Sequence, residues 1–338
     1  MKKRIEYLDF LKGLAMILVV IGHLVSQLYT TKPEVYEHNV IFKFCYSFHM
    51  PLFVFISGWV AGLTVKSDVK WLTKRLRSIG IPFIAAFVIW CGILHRTTFH
   101  DSVYRTPFWY LPFILIADSL LFIDRKAGTG NILLIAFIPA AFVAELLIAD
   151  QLNVTGHPVH MLTLIENFFI FYILGVNAPA IRKKLPKLTF AAAVVSPFLY
   201  AAAFPFYEHG IDNQVERVRG FSGFNIDKIP FCFGIIAAAN KYIMPLFGIG
   251  SVMLITWLIY RIPYTKLLRT AFQFIGKHTL FIYLLHVEFF FSPTGHTVPD
   301  CIISCILAII LPAALSYLWT LSKRKIVSAV QHHSDVLH

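Results

Sequence analysis

The sequence predicts an all-α, polytopic membrane protein of about ten transmembrane helices, with both termini cytoplasmic. Three observations predict it. Of the 338 residues, 57% are apolar and 14% charged, with a mean hydropathy of +0.69, whereas a soluble domain carries about 25% charged residues. Apolar runs of about 20 residues, the length that crosses a bilayer, recur along the whole chain between short polar connectors. Lys and Arg fall unevenly on alternate connectors.

The apolar windows are 8–30, 40–64, 79–95, 107–124, 131–150, 162–180, 188–207, 240–260, 267–291 and 299–321. The first begins at Leu8 with no small-residue cleavage site behind it, so it reads as a retained span, not a signal peptide. One set of connectors carries Lys2, Lys3, Arg4, Lys66, Lys70, Lys74, Arg75, Arg77, Arg125, Lys126, Arg182, Lys183, Lys184, Lys187, Arg261, Lys266, Arg269, Lys323, Arg324 and Lys325. The alternate set carries Lys32, Arg96, Arg105, Arg217, Arg219 and Lys228. The richer set is expected inside. Residues 229–260 are apolar for too long to be one helix, and Asn240, Lys241 and Pro245 interrupt them. They are expected as a partly submerged segment, 229–239, ahead of one span. The longest outer loop, 208–228, is polar and aromatic. Residues 1–325 are thus expected as a single membrane domain and 326–338 as a short polar cytoplasmic tail.

The formal charge of +12 sits in short clusters between apolar runs, not in a basic arm or stripe. That distribution sets topology and excludes nucleic acid as a partner. Cys45, Cys91, Cys232, Cys301 and Cys305 lie in or beside apolar segments without a CxxC pair, so neither a metal site nor a disulfide framework is expected. His332-His333 lies in the polar tail and makes a poor metal site. The chain has no GxSxG elbow, HExxH pair, Walker loop or glycine-rich dinucleotide fingerprint. Asn153-Val154-Thr155 fits a glycosylation sequon in an outer loop.

Ionisable groups inside apolar spans are costly and point to function. Here they are Lys12, His23, His49, Glu166, Lys277, His286 and Glu288. Lys12 and His23 stand eleven residues apart in the first span. Eleven steps of about 100° end about 20° past three full turns and cover about 16 Å, so the two share a face at different depths. Asp9, three residues before Lys12, can pair with it. Lys12 lies toward the inside and His23 toward the outside. In the second span Pro51 disturbs the helix, and His49 beside it can satisfy a freed carbonyl, orient His23 or line a cavity. Arg75 and Arg77 flank the third span, where guanidinium forks suit phosphates. Trp109 and Tyr110 open the fourth span as interface aromatics. Tyr283 and His286 lie in the ninth, and Glu166 and Glu288 fall near the outer boundary.

These residues resemble a known family. Arg4-Ile5-Glu6-Tyr7-Leu8-Asp9-Phe10-Leu11-Lys12-Gly13, running to Ile21-Gly22-His23, is similar to the opening of acyltransferase family 3. Its pattern of a basic residue, ten residues and a histidine is met by Lys12 and His23, with Lys where members usually carry Arg. The likeness continues at Phe48-His49-Met50-Pro51-Leu52-Phe53, Ile56-Ser57-Gly58, Arg75-x-Arg77 and Tyr283-Leu284-Leu285-His286. The phrasing of the first two motifs resembles the fucose 4-O-acetylase-like group. The resemblance implies a multi-pass protein of the plasma (inner) membrane. It also implies acetyl-CoA as donor at the cytoplasmic face, and an acceptor hydroxyl nearer the outer face on a surface glycan or lipid-linked sugar.

On this reading His23 is catalytic, either as the base that accepts the hydroxyl proton or as a carrier of the acetyl group. Lys12, Arg75 and Arg77 bind the donor, and Asp9, His49, Trp109, Tyr283 and His286 support the site. Expected partners are membrane lipid, acyl-CoA and a glycan or glycolipid. The competing expectation is a proton-coupled transporter or flippase, because interior Lys, His and Glu also suit a carrier. No inverted repeat or matched pair of broken helices accompanies them.

Overall fold

The computed structural model describes residues 5–28, 39–93, 108–152, 160–207, 239–290 and 298–336. Nearly all of these are helical, and no strand occurs among them. The expected loop 208–228, the segment 229–238, the sequon at Asn153, and Cys232 lie outside the described residues. So do Lys2, Lys3, Arg4 and all six basic residues assigned to the outer connectors. The side chains of Lys323, Arg324, Lys325, His332 and His333 are likewise not described.

The helices are α1 (Glu6–Leu28), α2 (Val40–Tyr46), α3 (His49–Thr64), α4 (Val69–Arg75), α5 (Ile81–Val88), α6 (Tyr110–Ala127) and α7 (Ile132–Leu152). They continue with α8 (His160–Lys184), α9 (Pro186–Ala203), α10 (Met244–Arg261), α11 (Lys266–Lys277), α12 (Thr279–Leu285) and α13 (Val298–Val336). Among the described residues, some helix falls in each of the ten expected windows. Six stretches among the described residues are long and apolar enough to cross a membrane: Glu6–Gln27, Val40–Thr64, Leu162–Lys184, Pro186–Phe206, Ala239–Arg261 and Pro299–Ser322. The helix α13 runs on through the expected polar tail as far as Val336.

Two expected spans differ from single rods. In the second, the break falls at Ser47 and Phe48, ahead of Pro51, and Phe48 leaves helical geometry (φ −153°, ψ −5°). Pro51 then lies in the first turn of α3, where a missing N–H costs nothing. The expected ninth span, 267–291, is not continuous. It is interrupted at His278 (φ −112°, ψ 11°), whose Nδ1 lies 2.8 Å from Ser316 Oγ on α13. Physically, α11 is amphipathic. Lys266, Thr270, Gln273 and Lys277 recur at helical spacing on one side, while Gly276 is buried.

The chain packs as two units, Met1–Tyr36 with Ile259–His338, and Glu37–Leu258. In the first, α1 and α11 approach through reciprocal glycines. A Cβ on Gly13 would meet the Phe272 carbonyl, and one on Gly276 would meet the Asp9 carbonyl. Phe10 stacks on Phe272 at 4.9 Å beside that contact. In the second unit, Gly58 and Gly62 have GxxxG spacing on α3. A Cβ on either would strike the backbone of Tyr172 or Val176 on α8. Gly175 returns the contact against Phe55. Between spans, where lipid is as apolar as the side chains, such small-residue stripes let backbones meet. The α3–α8 contact fixes the backbone of Tyr172.

Candidate functional site

The first unit brings His23 and His286 together. His23, half-buried on α1, has its Nδ1 2.8 Å from Nε2 of His286. The rings lie 24° from parallel with centroids 5.1 Å apart. His286 is fully buried in the 3-10 turn that follows α12. Its Nδ1 lies 2.8 Å from the Tyr283 carbonyl and 3.1 Å from the Ile282 carbonyl.

Those carbonyls settle the tautomers, because a carbonyl oxygen only accepts. Nδ1 of His286 therefore carries the proton and donates it. Nε2 of neutral His286 is then an acceptor, so Nδ1 of His23 is the donor across the 2.8 Å bond. On His23 the proton then sits at Nδ1 and the basic lone pair at Nε2. A helix end with two carbonyls to satisfy thus reaches, through one buried ring, to the basic nitrogen of a second.

Tyr283 serves this chain through its backbone oxygen, and its buried ring lies 6.2 Å from that of His286. Toward the other end of α1, Asp9 and Lys12 pair as expected, Nζ to Oδ1 at 4.0 Å. That distance is a charge contact, not a hydrogen bond. Asp9 is buried and Lys12 half-buried. Lys277 is exposed at the end of α11, and Glu288 is exposed in the turn of His286.

The remaining expected residues belong to the second unit. His49 is buried, and its Nδ1 donates at 2.7 Å to the Cys45 carbonyl beside the helix break, which also accepts the Phe48 N–H at 3.4 Å. Trp109 precedes α6 and stacks on Phe168 at 5.2 Å. Glu166 is half-buried on α8. Arg75 and Arg77 have different surroundings. A single π-helical turn, Leu76–Gly80, follows Arg75 and leaves Arg77 exposed. Such turns recur at functional sites.

Arg75 instead meets Asp118, which sequence reasoning missed. Its Nε donates to Asp118 Oδ2 at 2.6 Å, and Tyr172 donates its hydroxyl to Oδ1 at 2.7 Å. Asp118 and Tyr172 are fully buried, and the Arg75 side chain keeps 22% exposure. Burial, the largest single influence, lowers the Arg75 pKa, but the charge and hydrogen bond of Asp118, with smaller contributions from Tyr172 and Tyr110, make the net direction upward. The guanidinium stays charged. Nearby, Tyr110 and Ser57 share a hydrogen bond of 2.5 Å. Asp118 lies in the apolar run Phe113-Ile114-Leu115-Ile116-Ala117-Asp118, where an intramembrane acid is itself a signal. Tyr172 carries no such signal.

Comparison with known proteins places the chain in a class. A family model described as an acyltransferase domain matches residues 5–319, and the chain belongs to that family. Among curated proteins it is similar to nodulation protein NolL of Sinorhizobium fredii (strain NBRC 101917 / NGR234), with 34% identity over 89 residues. That match covers 25% of this chain and 23% of the relative. It is also similar to nodulation protein NolL of Mesorhizobium japonicum (strain LMG 29417 / CECT 9101 / MAFF 303099), with 28% identity over 149 residues, 43% of this chain and 37% of the relative. The chain therefore spans well under half the length of these relatives. No solved structure matches it.

Proposed function

We propose that this protein is a membrane O-acetyltransferase. It would move an acetyl group from cytoplasmic acetyl-CoA to a sugar hydroxyl in a surface glycan or a lipid-linked precursor. The observation that carries this reading is the hydrogen-bond chain from the Tyr283 carbonyl through His286, which sets the tautomer of His23 with its basic lone pair at Nε2. Membership of an acyltransferase family favours it over the carrier reading.

In the direct course, Nε2 of His23 takes the acceptor hydroxyl's proton as its oxygen forms a bond to the acetyl carbon. The carbon–sulfur bond breaks, and the thiol leaves as thiolate, to which the imidazolium returns the proton. His286 holds the His23 ring in the tautomer this needs, and the bond between them strengthens when His23 is charged. The same lone pair also suits transfer by way of the histidine itself. Arg75 and Arg77 would hold the donor's phosphates, and Lys12 is proposed separately as a donor-binding residue.

The test is incubation of the purified protein in lipid nanodiscs with acetyl-labelled acetyl-CoA and a panel of free and lipid-linked sugars. Acceptor-dependent release of CoA, with label recovered as a base-labile ester, is the expected result. Movement of acceptor across a bilayer with no CoA released would favour the carrier.

A further inference from the structure

We propose that Asp118 and Tyr172 are positioning residues that turn Arg75 into a preset two-pronged site for phosphate oxygens. The proposal rests on the reading of this protein as a user of a nucleotide-bearing acyl donor and names two residues that reading lacked. A guanidinium has five N–H donors in a flat fork. Asp118 engages Arg75 at Nε, and among the described residues neither Nη1 nor Nη2 has a hydrogen-bond partner. The carboxylate is fixed in turn, because Tyr172 donates to its other oxygen at 2.7 Å. Tyr172 is anchored by the close approach of α3 and α8 at Gly58.

A buried ion pair made only for stability would be expected to engage carboxylate and guanidinium side by side through two nitrogens. Here the acid grips the stem end of the fork and leaves its two prongs uncommitted. The side chain's 22% exposure gives solutes a way to it. The π-helical turn places exposed Arg77 two residues on. Two nitrogens in one plane, held by a group that does not use them, match two oxygens of a phosphate.

Positioning and plain electrostatics predict opposite signs. If Arg75 attracts the donor only by charge, Asp118→Asn removes a neutralising carboxylate and binding tightens. If Asp118 aims the fork, Asp118→Asn frees the guanidinium to rotate and binding weakens, by about tenfold for the loss of one charge-assisted bond. Tyr172→Phe, which alters no charge, should weaken binding by a smaller factor in the same direction.

The experiment is calorimetric titration of CoA into the full chain in zwitterionic nanodiscs, for the wild type, both variants and Asp118→Glu, each checked for monodisperse folding. Weaker CoA binding in Asp118→Asn and Tyr172→Phe, with partial recovery in Asp118→Glu, is the expected pattern. Unchanged or tighter binding in Tyr172→Phe and Asp118→Asn overturns the proposal. So does an effect seen only in discs of anionic lipid, which would make the fork a headgroup site. Failure of the wild type to bind CoA would instead overturn the donor reading beneath it.

Discussion

Replacing His286 by Leu removes the acceptor of His23 Nδ1 while keeping an apolar side chain in a fully buried position. The 2.8 Å bond joins two neutral rings at rest and an imidazolium to a neutral ring once His23 has taken a proton. A neutral hydrogen bond contributes about 0.5–1.5 kcal/mol and a charged one about 1.5–3 kcal/mol. The difference, about 1–1.5 kcal/mol, is what His286 supplies to the step beyond resting-state order. It corresponds to a kcat about five- to tenfold lower. Because the bond is not to the donor, KM for acetyl-CoA should stay within about twofold. His286→Gln, whose side-chain carbonyl can accept from His23, should recover part of the loss. Steady-state acetyl transfer at saturating acceptor reads both constants. A Leu variant with wild-type kcat, or a loss confined to KM, would refute the relay.

Two further outcomes follow from the packing. Gly62→Leu places a branched side chain where even a Cβ would come within 3.0 Å of the Val176 Cα. The resulting overpacking costs about 1–3 kcal/mol and lowers the melting temperature in detergent; an unchanged melt would mean α3 and α8 are not held by this stripe. Arg75→Ala leaves the buried Asp118 carboxylate without its cation, a loss of about 3–5 kcal/mol. Adding Asp118→Ala should restore part of that stability, and a double variant no more stable than Arg75→Ala would contradict the pairing.

The sequence discloses the pieces of the first unit better than their assembly. His23 and His286 both stand out as titratable groups in apolar helices, yet they are separated by 263 positions, and no periodicity links residues so distant. The tautomer argument needs the Tyr283 and Ile282 carbonyls, which are turn-level details that hydropathy does not encode. Span 267–291 reads as continuous because Phe272, Ile275 and Leu280 keep its average apolar. The regular spacing of Lys266, Gln273 and Lys277 is what marks α11 as a separate, one-sided helix. His49 is the opposite case. Reasoning from a helix break anticipates that it bonds a backbone carbonyl, although the break falls at Ser47 and Phe48 and not at Pro51, and the carbonyl is that of Cys45. Asp118 was legible, since the cost of a buried acid applies to it as to Lys12. Its pairing with Arg75 and Tyr172 was not, because each partner comes from a different helix.

The most direct test of the central claim is acetyl transfer by His23→Ala, expressed in membranes to wild-type level and assayed with labelled acetyl-CoA and the acceptor found for the wild type. The account predicts a loss of about 10²–10⁴-fold, the contribution of a positioned general base, with CoA binding retained. Transfer at the wild-type rate would contradict it.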